Sequence, residues 1–120
     1  MKKDLAKGRY LPSKIYFKVI SKLSKEIRTT AKYWKIITNI KHPSTKGKET
    51  KVKETLIKPD SVRQSKSDKK VYLFYKKINK HFLCVVVKHL NKHGFIITTY
   101  LTRKIMEGEL IWPIKKKLKK

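Results

Sequence analysis

Three observations point to an α+β domain. Helix-like spacing with stop signals runs from Thr29 to Pro59, an alternating strand pattern takes over after Ser61, and 39% of the 120 residues are hydrophobic. That apolar share suffices for one small core. The expected architecture is an N-terminal hairpin or helix, two helices, and then a four-stranded antiparallel meander sheet with the helices on one face.

Residues 1–13 contain Gly8 and Pro12, show little periodicity, and read as a flexible basic arm. In Lys14–Thr30, Ile15, Phe17 and Val19 alternate with Tyr16, Lys18 and Ile20, as in a strand. Ile15, Val19, Leu23 and Ile27 are also spaced by four, as in a helix. The Tyr, Phe, Val and Ile content favours a hairpin of Lys14–Ser21 and Lys25–Thr29, turning at Lys22–Ser24. Thr29 and Thr30 are N-cap candidates for a helix over Ala31–Ile40 with a stripe of Tyr33, Trp34 and Ile37. His42-Pro43 stops it, because a residue before proline avoids the helical region. The polar turn Ser44–Lys48 leads to a second helix, Glu49–Ile57, with Val52, Leu56 and Ile57 inward, closed by Pro59-Asp60.

From Ser61 the period is two. A short strand from Val62 ends near Ser65, and Ser67–Lys70 turns. Val71–Ile78 places Val71, Leu73 and Tyr75 on one side and Tyr72 and Phe74 on the other. Phe82–His89 carries Val85-Val86-Val87, a run suited to a central strand covered on both faces. Phe95–Tyr100 is the last strand of the meander. Lys104–Met106 reads as one helical turn ended by Gly108, and Leu110–Trp112 closes the core. The expected core includes Trp34, Leu56, Leu73, Val86 and Ile97. Residues 14–112 then form a single domain, followed by a lysine-rich tail at 113–120.

Charge narrows the partner. Lys and Arg number 33 against 8 Asp and Glu, for a net charge of +25. The excess is even: 17 basic and 5 acidic residues lie in 1–60, and 16 and 3 in 61–120. Bias toward lysine accounts for part of this, but a thermal bias would raise Glu beside Lys, and Glu is scarce. A chain this cationic repels itself unless something anionic neutralises it. RNA or DNA phosphate is the leading candidate, and an acidic protein is second. No apolar run approaches the ~18–20 residues of a membrane-spanning helix, and Met1-Lys2-Lys3 is followed by a mostly polar stretch rather than a signal peptide. The lone Cys84 points to a reducing, cytoplasmic compartment. Cys84, His42, His81, His89 and His93 lack paired-cysteine spacing, so neither a metal nor another cofactor is expected.

There is no Gly-rich phosphate loop and no nucleophile elbow. A meander can instead gather His42, Arg63, Ser65, Tyr75, Thr98, Thr99 and Tyr100 on one face, with Lys41, Lys76, Lys88, Arg103 and Lys104 as nucleic-acid contacts. Basic, hydroxyl and imidazole groups suit cleavage of RNA, whose own 2′-hydroxyl is the nucleophile. The protein need only orient it, neutralise the phosphate and move protons. Each residue also has a plainer role: His42 as a helix terminator, the tyrosines as half-buried sheet residues, the threonines as strand formers. Arg63 stands out as one of only four arginines, with a fork that fits phosphate.

An ordered series of segments resembles the phage-associated, toxin-like branch of the barnase–EndoU–colicin–RelE nuclease superfamily. The segments are Tyr33-Trp34-Lys35-Ile36-Ile37, Lys41-His42-Pro43, Lys53-Glu54-Thr55-Leu56, Lys58-Pro59-Asp60-Ser61-Val62-Arg63-Gln64-Ser65, Val71-Tyr72-Leu73-Phe74-Tyr75-Lys76, Leu83-Cys84-Val85-Val86-Val87-Lys88, Gly94-Phe95-Ile96-Ile97-Thr98-Thr99-Tyr100 and Gly108-Glu109-Leu110-Ile111-Trp112. The resemblance covers about two thirds of the chain. It implies helices followed by a four-stranded antiparallel sheet, a metal-free ribonuclease cutting RNA on the open face, and often an acidic antitoxin. By position, His42, Arg63, Ser65 and Thr98-Thr99-Tyr100 match its polar site. The chain departs from the pattern in having no acidic residue near these positions to match a barnase-like glutamate base. Two other readings use the same charge. One is a nucleic-acid-binding module without chemistry, whose exposed tyrosines stack bases. The other is a membrane-surface protein using the lysine tail, which lacks a hydrophobic anchor or lipidation motif.

Overall fold

Strand periodicity prevails over the helical alternative at the N-terminal side. Ile15–Ile20 (β1) and Glu26–Thr30 (β2) pair as an antiparallel hairpin, with Ser24 at φ 65 in its turn. The computed structural model describes residues 14–105 and 107–113, so the arm at 1–13, Met106 and the tail lysines lie outside the described residues. Thr30 caps the following helix by accepting a hydrogen bond from the Tyr33 amide at 3.1 Å. That helix, Ala31–Ile36 (α1), is shorter than expected. It widens into a π-turn at Ile37–Lys41, closed by the His42 amide on the Ile37 carbonyl at 2.7 Å. A 3-10 turn at Pro43–Thr45 occupies part of the expected polar turn, and Glu49–Ile57 (α2) has its expected bounds. Val52 and Leu56 are buried, but Ile57 is exposed rather than inward. It lies ~100° around the helix from Leu56, off the buried stripe.

The remaining strands are Ser61–Gln64 (β3), Val71–Ile78 (β4), His81–His89 (β5), Gly94–Thr102 (β6) and Glu109–Trp112 (β7). The α+β class stands, but the expected four-stranded antiparallel meander does not. The sheet is mixed and seven-stranded, in the order β1-β2-β6-β5-β4-β3-β7. The hairpin joins one side through a parallel pairing of β2 with β6, at Ile27↔Gly94 and Arg28↔Phe95. On the other side β7 pairs with β3. A meander alone would leave two edges of unpaired backbone groups, and β2 and β7 take up those hydrogen bonds. Of Lys104–Met106, expected to form one helical turn, Lys104 and Ile105 are irregular and Met106 lies outside the described residues.

The two faces differ. On one, Phe17, Ile27, Trp34, Ile37, Val52, Leu56, Phe74, Val85, Val87 and Ile96 form the main core under the helices. On the other, Leu73, Tyr75 and Cys84 form a smaller cluster with Val86, Tyr100 and Ile105 against it. Val86 and Ile97, both expected in the core, are only half-buried. Val86 faces the second cluster. Ile97 is the extra residue of a β-bulge, because Val86 pairs with Thr98 while Val87 pairs with Ile96. The bulge reverses side-chain parity along β6, so Ile96 stays in the core and Thr98 and Tyr100 turn to the second face.

Candidate functional site

A groove of about 770 Å³ runs across that second face. The pleat of β4 supplies Val71, Leu73 and Tyr75 to its floor, β5 supplies Val86, and β6 supplies Thr98, Tyr100 and Thr102. Its walls are His42, Ser65 and a loop carrying Arg103, Lys104 and Glu107.

His42 reaches the groove because the parallel β2–β6 pairing is so short. Beyond Phe95, β6 no longer pairs with β2, and the end of α1 with its π-turn takes that place. The Tyr33 hydroxyl donates to the Ile97 carbonyl at 2.6 Å and the Lys41 ammonium donates to the same oxygen at 3.3 Å. The carbonyl of the bulged residue is thus satisfied by the helical segment. One residue further, the His42 ring lies 5.5 Å from the Tyr100 ring, tilted by 42°. π-turns in helices often mark such sites.

Tyr75, Cys84 and Tyr100 are neighbours across three strands, through the pairs Tyr75↔Cys84 and Cys84↔Tyr100. Burial raises the pKa of both phenols well above its ordinary value, and the adjacent Cys84 adds to this. Both phenols therefore stay protonated at neutral pH and can act as donors. Burial also pushes the Cys84 thiol up to about 12, which leaves it unreactive as a thiolate. Thr98 Oγ1 is buried without a hydrogen-bond partner, whereas Thr99 points away from the groove and donates to the Cys84 carbonyl at 2.8 Å.

Arg63 does not line the groove. Its Nε donates to the Glu107 carbonyl at 2.8 Å and its Nη2 to the Gly108 carbonyl at 3.0 Å. Its fork clamps the groove loop instead of standing ready for phosphate. Gly108 has φ +81 and lies so close to β3 that a Cβ would fall 2.6 Å from the Gln64 carbonyl oxygen. This clamp carries a side chain that the sequence reading missed: Glu107, an exposed carboxylate in the groove wall beside the two phenols. The expectation that no acidic residue lies near these positions is thereby corrected. The available signal was the acidic pair Glu107 and Glu109 around Gly108, in a chain with only 8 acidic residues.

Ser65 sits on the groove rim, where its Oγ lies 3.1 Å from Ser67 Oγ and accepts a hydrogen bond from the Ser67 amide at 3.3 Å. Of the proposed cationic contacts, Arg103 and Lys104 line the groove and are exposed. Lys41 stands beside it on Tyr33. Lys76 is not brought in, since its ammonium donates to the Lys58 carbonyl at 2.9 Å. Lys88 is outside the lining too, 3.2 Å from the Asp68 carboxylate.

Among the described residues no three of His, Cys, Asp and Glu converge to hold a metal ion, and no helix is long and apolar enough to cross a membrane. The chain matches no protein-family model, no curated protein and no solved structure.

Proposed function

We propose that this protein is a metal-independent endoribonuclease that cleaves RNA by attack of a 2′-hydroxyl on the adjacent phosphate. The observation that carries the reading is the meeting of His42, Tyr75, Tyr100 and Glu107 around an apolar floor, with Arg103 and Lys104 at the rim. In this reading Glu107 takes the proton from the 2′-hydroxyl as its oxygen bonds to phosphorus. The bond from phosphorus to the 5′-oxygen breaks, and the protonated His42 ring gives that oxygen a proton. The products are a 2′,3′-cyclic phosphate and a 5′-hydroxyl. The neutral phenols of Tyr75 and Tyr100 and the Arg103 and Lys104 cations stabilise the charge gathering on the phosphoryl oxygens. Leu73 and Val86 give a base an apolar surface.

The likeness to the barnase–EndoU–colicin–RelE superfamily belongs to this proposal, as does a toxin-like role in the cytoplasm. With a net charge of +25, an acidic inhibitor protein is a natural second partner. The test is incubation of purified protein, freed from any bound inhibitor, with mixed RNA in excess chelator. The expected result is fragments ending in 2′,3′-cyclic phosphate. Intact RNA that is nonetheless bound in a salt-dependent way would overturn catalysis in favour of a binding module.

A further inference from the structure

Where β2 and β6 part, a second cleft of about 320 Å³ opens, lined among others by Ile15, Tyr33 and Phe95, with Arg28 at its edge paired to the Glu26 carboxylate. Phe95 is unusual for a β6 residue in leaving 38% of its surface exposed, and Ile15 across the cleft leaves 47%. Lys41 stands beside the cleft, its ammonium 5.3 Å from the Tyr33 ring centroid. Tyr33 and Lys41 both hold the Ile97 carbonyl, and Ile97 adjoins Thr98 in the groove. The cleft and the groove therefore meet along one strand. Phe95 and Thr98 are three residues apart, about 10 Å at the usual strand rise. At ~3.4 Å per stacked nucleotide, that is no more than three base steps.

We infer that this cleft is a second nucleotide subsite, which stacks one unpaired base of the RNA strand that occupies the groove, within about three nucleotides of the groove. The inference rests on the ribonuclease reading for the identity of the ligand, though not on catalysis. Phe95 supplies the stacking face, Tyr33 and Ile15 the apolar walls, and Lys41 stands where the linking phosphate passes. Arg28 Nε is held by the Glu26 carboxylate and the Tyr33 hydroxyl by the Ile97 carbonyl, so recognition rests on ring faces and charge rather than on base edges. Stacking of this kind tolerates any base. The substrate it selects is single-stranded RNA extending beyond the scissile step.

The experiment measures binding of 2′-O-methyl oligonucleotides, which lack the nucleophile and cannot be cut. Wild type is expected to bind a pentanucleotide about tenfold more tightly than a dinucleotide beyond the effect of added charge, judged against a pentanucleotide abasic at its outer positions. Phe95→Ala should erase that advantage, Phe95→Trp should keep it, and changing the outer bases should leave it unaltered. Equal binding of the abasic and normal pentanucleotides, or an advantage that survives in Phe95→Ala, would overturn the subsite. Cleavage of unmodified RNA is scored separately. A Phe95-dependent preference without cleavage sinks the nuclease reading and keeps the subsite, and cleavage without that preference does the reverse.

Discussion

The imidazole of His42 packs 5.5 Å from the ring of Tyr100, although one leaves a helical segment and the other lies on β6. The contact exists because β2 withdraws from β6 and the π-turn fills the opening. His42 is only half-buried, outside both hydrophobic clusters. His42→Ala should therefore leave the fold intact and lower RNA cleavage by about 10²-fold or more. RNA affinity should hardly change. Full cleavage by the folded variant, measured on a defined oligonucleotide, would remove His42 from the chemistry.

Arg63→Ala should lower cleavage by a different route. The guanidinium holds the Glu107 and Gly108 carbonyls, so its loss frees the loop that presents Glu107. Hydrogen exchange should rise across 103–108 while RNA affinity stays near wild type. Arg63→Lys should rescue poorly, because an ammonium cannot reproduce the fork. Weaker RNA binding with an unchanged loop would mean that Arg63 meets phosphate directly.

Salt should separate the cations. If the groove tracks the RNA backbone, log affinity falls linearly with log salt concentration. Arg103→Ala and Lys104→Ala should each reduce that slope by about one. Lys76→Ala should leave it unchanged, since Lys76 is bound to the Lys58 carbonyl away from the groove. Titrations at several salt concentrations decide this, and an equal effect of all three substitutions would deny the groove its role.

Acid should destabilise the protein through His89. Its ring stacks on Tyr72 with centroids 4.2 Å apart, and its Nε2 is buried without a partner. Burial, and then the nearby Lys25, lower its pKa from 6.5 to about 4. Between those values the unfolded chain binds more protons than the folded one. Stability is thus full above pH 6.5 and falls as pH drops through the window, with the slope from this group fading below about 4. The thermal midpoint should decline from pH 6.5 to 5 in wild type and decline less in His89→Phe, which keeps the stack. Parallel profiles for the two proteins would show that His89 does not govern the acid response.

Local patterns made much of the fold legible. Alternation in Val71–Ile78 and the proline after His42 act within a few residues, so they could be read directly. So could the α2 stripe of Val52 and Leu56. The parallel contact of β2 with β6 left no such trace. It joins Ile27 to Gly94, and nothing within either segment specifies a partner that distant in sequence. The same limit hid β7, four residues whose pairing with β3 is a property of the open sheet edge.

Composition and short-range periodicity were enough to show that the chain is α+β, strongly cationic, and supplied with hydroxyl, imidazole and guanidinium groups. Which of those groups meet depends on pairing between distant strands. The bulge at Ile97 turned Thr98 and Tyr100 toward the groove, a one-residue parity change that alternation cannot reveal when Ile96 and Ile97 are chemically alike. The clamp between Arg63 and the Gly108 loop converted the most conspicuous arginine into a brace and brought Glu107 to the site in its place. Both outcomes depend on backbone carbonyls and register, which are set by long-range pairing rather than by the identity of any one side chain.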